Sequence, residues 1–305
     1  MKKYKKKIII TGALGQDGLI LSKLFIENKF KVFGFVKKIK KYKLKNVKYL
    51  KTSLANFSTL SKKIKYINPD IFIHLGTDNP NFLETKKKYS LKKNYKIIKN
   101  IIDFFSINKV KTKIILIGSS QMYKKNGLKI NVNTNFKPQN SYAKFRIKSH
   151  KYMMKCKKRF NLNATTAILF NHDSIFRNKK FLIPRITKFI KQKKFNELKK
   201  IFFENISGDF SHAEDICKGI YKLALSKKNP NKLIFSSNKR TFINDIINYL
   251  LNLSNIKIKF AKMKRKKYLS SIGNNSLARK ELNWKLKKNI LIAAKELIKI
   301  NINDF

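Results

Sequence analysis

The stretch Lys7-Ile8-Ile9-Ile10-Thr11-Gly12-Ala13-Leu14-Gly15-Gln16-Asp17-Gly18 constrains the fold more than any other part of the chain. Its β-branched apolar run reads as a buried strand. Glycines at 12, 15 and 18 follow directly, and Leu19-Ile20-Leu21 then opens a helical pattern. Gly12 permits a tight turn, Gly15 lets the backbone approach a ligand closely, and Gly18 lets helix and strand pack together. Unpaired amides and the helix dipole favour an anion at the start of such a helix. The turn is therefore expected to seat the diphosphate of a dinucleotide.

Downstream, short β-branched runs alternate with longer amphipathic stretches, the rhythm of a parallel sheet with helices on both faces. Strands are expected at Lys7 to Thr11, Lys31 to Phe35, Val47 to Leu50, Ile71 to Leu75, Lys113 to Gly118 and Ala164 to Phe170. Helices fit from Asp17 to Asn28, Phe57 to Tyr66, Leu83 to Phe105 and Tyr142 to Phe160. Beyond Asn171 the rhythm loosens. Helical patterns at Ala213 to Leu225 and Ile243 to Leu253 flank a strand-like Leu233-Ile234-Phe235, and Ala278 to Leu282 leads into Trp284. This part reads as a smaller lobe closing over the first. The expected architecture is α/β: a Rossmann-type doubly wound parallel sheet over residues 1–170, with a smaller C-terminal substrate-binding lobe over 171–305. The boundary is approximate and the lobes are expected to interleave.

At the end of the second expected strand, Gly34-Phe35-Val36 runs into Lys37-Lys38. An acid there would hold the ribose hydroxyls of NAD, whereas cations suit the 2′-phosphate of NADP. With 72 Lys and Arg among 305 residues, a cation is expected at almost one position in four, so these lysines favour NADP without excluding NAD.

The formal charge of +56 would by itself point to nucleic acid or an anionic membrane. The lysines, however, are scattered from Lys2 to Lys299, with no zinc-finger spacing and no basic zipper. They read as a solvated cationic surface, and no dedicated nucleic-acid partner is expected. Cys156 and Cys217 are too few for a disulfide framework and suit a reducing compartment. His74, His150, His172 and His212 show no ligand spacing, so no metal is expected. The apolar run after Lys2 to Lys7 stops at Thr11-Gly12, and no stretch approaches the ~18 apolar residues of a membrane helix. A cytoplasmic chain without membrane contact is expected, and association into a homo-oligomer stays open.

Several segments resemble those of the GDP-mannose 4,6-dehydratases, within the extended short-chain dehydrogenases. Thr11 to Gly18 is similar to that family's opening glycine motif, and Ile168-Leu169-Phe170-Asn171-His172-Asp173-Ser174 resembles its ILFNHES segment. Phe181 to Thr187 looks like its FVTRKIT, Gly208 to Asp215 like its RDWGHAKD, and Lys280 to Lys285 like its EKLGWKP. Gly34 to Lys38 falls where the family has GIKRR, which strengthens the case for NADP. The resemblance implies NADP on Gly12, Gly15, Gln16, Asp17, Gly18, Lys37, Lys38, Tyr142 and Arg146. It implies a nucleoside-diphosphate sugar, a GDP-sugar in particular, in the C-terminal lobe, with hydride exchanged at C4 of the sugar. Asn171 would contact the diphosphate region, and Arg185 would replace a family lysine on the same ligand. Without that ligand, Asn171 is a strand-end turn residue and Arg185 a solvated cation.

The same resemblance makes Tyr142 the group that gives or takes the hydroxyl proton and Ser119 the group that orients the sugar oxygen. A phenol is a poor base at neutral pH unless a nearby cation favours its phenolate. The family places a lysine four residues after the tyrosine, on the same helix face. Here that residue is Arg146, which keeps the charge on a larger, planar fork. Lys144 and Lys148 point off that face. Gln121 stands where the dehydratases carry a glutamate that moves the C5 proton, and an amide cannot titrate to do so. If elimination proceeds regardless, a water or His172 is left for that proton. Gly208 replaces an arginine expected on a phosphate. Three readings remain: a dehydratase-like lyase with altered catalytic residues, a GDP-4-keto-6-deoxy-sugar reductase or epimerase, and a non-catalytic nucleotide-binding relative.

Overall fold

The inner strands of the main sheet are largely apolar on both faces, as strands covered by helices on each side must be. The structure, a computed structural model, describes residues 6–39, 42–77, 91–108, 110–258, 260 and 268–300. The lysines at 2–5 and the first turns of the helix expected from Leu83 lie outside these residues. The first half contains β1 (Lys7–Thr11), α1 (Gln16–Glu27), β2 (Lys31–Val36), β3 (Val47–Lys51), α2 (Phe57–Ile67), β4 (Ile71–His74), α3 (Leu91–Asn108), β5 (Lys113–Ser119), β6 (Lys129–Ile130) and α4 (Ser141–Phe160). A short 3-10 turn, Ser120–Met122, follows β5. Next come β7 (Ala164–Leu169), β8 (Asn171–Asp173), α5 (Leu182–Lys191), α6 (Phe195–Phe203), β9 (Ile206–Gly208), β10 (Phe210–His212) and α7 (Ala213–Leu225). The chain continues through β11 (Lys232–Phe235), β12 (Thr241–Phe242), α8 (Ile243–Leu253), β13 (Tyr268–Leu269), β14 (Ile272–Gly273), α9 (Ser276–Leu282) and α10 (Ile290–Lys299).

Seven strands form the main sheet in the order β11-β7-β5-β4-β1-β2-β3. All neighbours are parallel. The chain leaves β1 toward β2 and β3, then returns to β4 on the other side. The strand order thus reverses between β1 and β4, and in such sheets ligands bind outside the carboxyl ends of the strands at that point. Alternate residues of β1 serve opposite faces. Ile8 and Ile10 enter a core with Leu21 and Phe25 of α1, Ile216 and Ile220 of α7, and Trp284. Ile9 enters the other, with Leu60 and Ile64 of α2, Ile98 and Ile101 of α3, and Phe145 of α4.

One expectation is corrected here. Leu233-Ile234-Phe235 and the helix from Ala213 belong to the main layer and not to a smaller lobe. β11 pairs with β7 at the sheet edge, and α7 lies along α1. The reason is burial: Leu233, Ile234 and Phe235 are at most 1% exposed, so this strand needs cover on both faces. Trp284 stacks edge-on against Phe235 and donates its indole N–H to Asp215 O at 2.8 Å. A separate apolar core remains for the rest of the second half, built from Ile186 and Ile190 of α5, Leu198 of α6, Ile246 and Leu250 of α8, and Ala293 of α10. Beside it lies the small sheet β12-β9-β13.

Candidate active site

The glycine turn has the geometry its sequence requires. Gly12 has φ +70°, and a Cβ there would meet the backbone of Gly76 at 3.0 Å. At Gly18 a Cβ would stand 2.4 Å from Gly12 O, so only glycine lets α1 come this close to β1. Gly15 is exposed and begins α1 without a side-chain cap. Among the described residues an added Cβ at Gly15 would meet Gly12 O alone, at 3.3 Å. An open glycine at an uncapped helix start fits a diphosphate. Lys37 and Lys38 are exposed directly after β2.

The side chains of Gln16 and Asp17 turn toward β8. Gln16 Nε2 donates to Asp17 Oδ1 at 3.0 Å and to His172 O at 3.2 Å, while its Oε1 accepts from Ser174 Oγ at 3.2 Å. His172 Nε2 lies 3.0 and 3.2 Å from the two Asp17 oxygens. Burial alone would raise the Asp17 pKa, but the charge and hydrogen bond of His172, with Arg177, hold it down at about 2. Burial likewise opposes charge on His172, yet Asp17 raises its pKa above the ordinary histidine value. His172 Nδ1 lies 2.6 Å from Phe170 O, so both ring nitrogens are committed and His172 is not placed to move a substrate proton.

Tyr142 and Arg146 share the buried face of α4, at 4% and 5% exposure. Arg146 Nε donates to Tyr142 Oη at 3.1 Å, Nη1 to Ile117 O at 2.5 Å and Nη2 to Thr77 Oγ1 at 2.5 Å. The guanidinium fork thus ties α4 to β5 two residues before Ser119. Lys144 and Lys148 are exposed, Lys148 over the Tyr95 ring. Ser119 Oγ accepts from the Gln121 backbone N–H at 3.3 Å. Gln121 Oε1 accepts from Asn140 Nδ2 at 2.7 Å, and Asn140 Oδ1 in turn caps α4 by accepting from Ala143 N at 2.9 Å. Ser119, Gln121, Tyr142 and Arg146 are therefore linked at the carboxyl end of β5.

His74, at the end of β4, was missed as a site residue in the sequence. It is fully buried, lies 2.7 Å from Thr11 Oγ1 through Nδ1, and its Nε2 meets no hydrogen-bond partner among the described residues. Burial and then the Arg146 charge push its pKa down to about 3, so it stays neutral. Asn140 carried one readable signal, its place as an amide side chain immediately before a helix.

The residues expected on the sugar nucleotide lie farther along. Asn171 is exposed at the start of β8 and donates to Asp209 O at 3.2 Å. Arg185 is half-buried on α5, its guanidinium 5.8 Å from the Phe189 ring centre. At Gly208 an added Cβ would press against Ser270 Cβ at 3.0 Å, so a larger side chain would force a shift there. Arg240 spans this region but is held by Ser207 Oγ at 3.0 Å, Ser270 O at 3.1 Å and Gly127 O at 2.5 Å. Among the described residues no helix is long and apolar enough to cross a membrane, and no group of three His, Cys, Asp or Glu side chains is placed to hold a metal.

The family model for GDP-mannose 4,6 dehydratase matches residues 9–297. GDP-mannose 4,6 dehydratase 1 of Arabidopsis thaliana is 22% identical over 99% of this chain and 90% of its own length. The GDP-mannose 4,6-dehydratase of Yersinia enterocolitica is 21% identical over 84% of this chain and 74% of its own. Among solved structures, UDP-glucose 4-epimerase of Thermotoga maritima with UDP-glucose has a TM-score of 0.81 at 15% identity, covering 96% of this chain and 97% of that one. The dTDP-glucose 4,6-dehydratase of Bacillus anthracis in complex with NAD has a TM-score of 0.80 at 13% identity, covering 96% of each chain. At these identities the structural likeness speaks for the fold alone.

Proposed function

The chain belongs to the GDP-mannose 4,6-dehydratase family, and on that premise we propose that it modifies the sugar of a GDP-sugar with NADP as its dinucleotide. The observation that carries this reading is the buried hydrogen bond from Arg146 Nε to Tyr142 Oη, 3.1 Å long, beside the carboxyl end of β5. The dinucleotide, when bound on the glycine turn, supplies or accepts hydride. Tyr142 gives or takes the sugar hydroxyl proton, and the adjacent guanidinium favours its phenolate. Ser119 orients the sugar oxygen. Gly12, Gly15 and Gly18 with the first amides of α1 hold the diphosphate, and Lys37 and Lys38 face the 2′-phosphate. Asn171 and Arg185 hold the sugar nucleotide.

Gln121 favours a second reading on the same site, a reductase or epimerase of a GDP-4-keto-6-deoxy sugar. Its amide is bound to Asn140 and cannot exchange the C5 proton. Removal of a general acid or base costs about 10² to 10⁴ in rate, so elimination should be slow while hydride exchange survives. The deciding experiment incubates the protein with GDP-mannose and NADP, and separately with a GDP-4-keto-6-deoxy sugar and NADPH, following products by NMR. Faster NADPH oxidation than dehydration is expected, and Gln121→Glu with Arg146→Lys should raise dehydration. Rapid dehydration by the unaltered protein would remove the argument from Gln121. No hydride exchange with any sugar nucleotide would favour a non-catalytic binding protein.

A further inference from the structure

A carboxylate in the first turn of α1 is an unexpected neighbour for a diphosphate. Asp17 occupies the positive end of the helix dipole and would repel an anion seated there. His172 answers that charge, and its hydrogen bonds define its protonation. Nδ1 is 2.6 Å from a carbonyl oxygen, Phe170 O, which can only accept. Nε2 faces both oxygens of Asp17 at 3.0 and 3.2 Å. Both ring nitrogens must donate, and only the imidazolium has two N–H groups. His172 also directly follows Asn171, and Gln16 grips the same segment at His172 O and Ser174 Oγ.

We propose that His172 is a positioning residue, held as an imidazolium, that neutralises Asp17 beside the diphosphate turn and couples the filling of that turn to the placing of Asn171. This rests on the functional reading of the glycine turn and of Asn171 given above.

The charges around the pair come from every side. On the β8 side, Asp173 Oδ1 lies 3.0 Å from Arg177 Nε; burial raises the Asp173 pKa against the pull of Arg177. On α7, Cys217 Sγ lies 3.9 Å from Asp17 O, and Glu214 pairs with Lys288 at 2.8 Å. His212, at the end of β10, meets Glu296 of α10 at 3.1 Å, and Lys288 approaches the same carboxylate at 3.6 Å. None of these cations reaches Asp17 as closely as His172 does. Loss of the His172 proton would leave Asp17 with only the more distant charge of Arg177 to answer it and weaken the tie from α1 to β8.

The test titrates NADP into the full chain by calorimetry, with and without saturating GDP, from about pH 6 to about pH 9. GDP should tighten NADP binding by about five-fold or more. Both the affinity and this tightening should decline as pH rises through the His172 transition. In His172→Gln the tightening should fall to about one-fold and the pH dependence should disappear, with circular dichroism and a cooperative melt retained. Asp17→Asn should likewise bind NADP independently of pH over this range. Equal coupling and equal pH profiles in the unaltered protein and His172→Gln would overturn the proposal. A second measurement needs no ligand: ¹⁵N-edited NMR of the ring nitrogens, assigned with His172→Gln, should show both protonated at neutral pH. A neutral tautomer there would also overturn it. If the unaltered protein bound neither NADP nor GDP, the functional reading would fall and the coupling with it, whereas the NMR measurement decides the imidazolium separately.

Discussion

Tyr142 and Arg146 stand four residues apart on α4, whereas Asp17 and His172 are 155 residues apart and come from α1 and β8. Both pairs are largely buried and both join a cation to an oxygen. Their partners differ in charge. Arg146 reaches a phenol, a carbonyl and a hydroxyl, all neutral. His172 reaches a carboxylate. The guanidinium of the first pair therefore meets no counter-charge among these partners, which is what the proposed role of Tyr142 requires. The second cancels its charge in the resting protein. His74 fits this contrast: beside Arg146 it stays neutral, with a pKa pushed down to about 3 by burial and that cation, so the region carries one positive charge and not two.

The largest effect that would break this contrast is on rate. Tyr142→Phe should lower hydride exchange by about 10² to 10⁴ and cost only about 1–2 kcal/mol in stability, since the ring stays buried and the loss is confined to the hydroxyl. NADPH oxidation and thermal unfolding of the same variant check both halves. An unchanged rate would return Tyr142 to the role of a buried aromatic.

The reverse pattern is expected across the sheet. Asp17→Ala removes the group that holds the His172 proton and leaves a buried ring nitrogen without its partner, so it should destabilise the fold by about 1–3 kcal/mol, read by urea unfolding. His172→Gln should cost less, because the uncharged amide still donates one hydrogen bond to Asp17. If Asp17→Ala were neutral in stability, the pair would be peripheral and the contrast with Tyr142–Arg146 would collapse.

A smaller effect follows from pH. Asp17 has its folded pKa lowered to about 2, so its stabilisation is present above the unfolded value and is lost as pH falls toward 2. His172 has its folded pKa raised, so its stabilisation is complete below its unfolded value and is lost as pH rises through the folded one. Melting temperature should therefore fall at both ends of a window from mildly acidic to near-neutral pH. His172→Gln should remove the alkaline limb and keep the acidic one reduced. An alkaline limb of unchanged size in that variant would assign it elsewhere.

The smallest expected effect concerns the exposed lysines. Lys37→Ala with Lys38→Ala should narrow a preference for NADP over NAD by about ten-fold, the scale of one charge-assisted contact in solvent. Isothermal titration with both dinucleotides reads it. Equal affinities in the unaltered protein would withdraw the NADP assignment, without touching either buried pair.

Much of the fold was readable because it is written in local patterns. The helices expected at Ala213 to Leu225 and Ile243 to Leu253 have those bounds in the structure. The first strand is found at Lys7–Thr11 as expected. Periodicity reports which residues of a segment are buried, and the glycine spacing reports where backbone must approach backbone. Neither reports which sheet edge a segment joins. Leu233-Ile234-Phe235 was readable as a strand, but its place beside β7 depended on what α7, α9 and Trp284 could cover.

The site divides in the same way. The sequence alone determined that Tyr142 and Arg146 share a helix face, because a spacing of four is a property of the helix itself. It also determined that Gln121 and Arg146 depart from the family pattern, since residue identity needs no coordinates. Only the tertiary structure decided that Gln121 would bind Asn140, that Arg240 would be held by Ser207, Ser270 and Gly127, and that His172 would close on Asp17. Such pairs form only when the sheet brings β8 against the start of α1, and no periodicity links positions 155 residues apart.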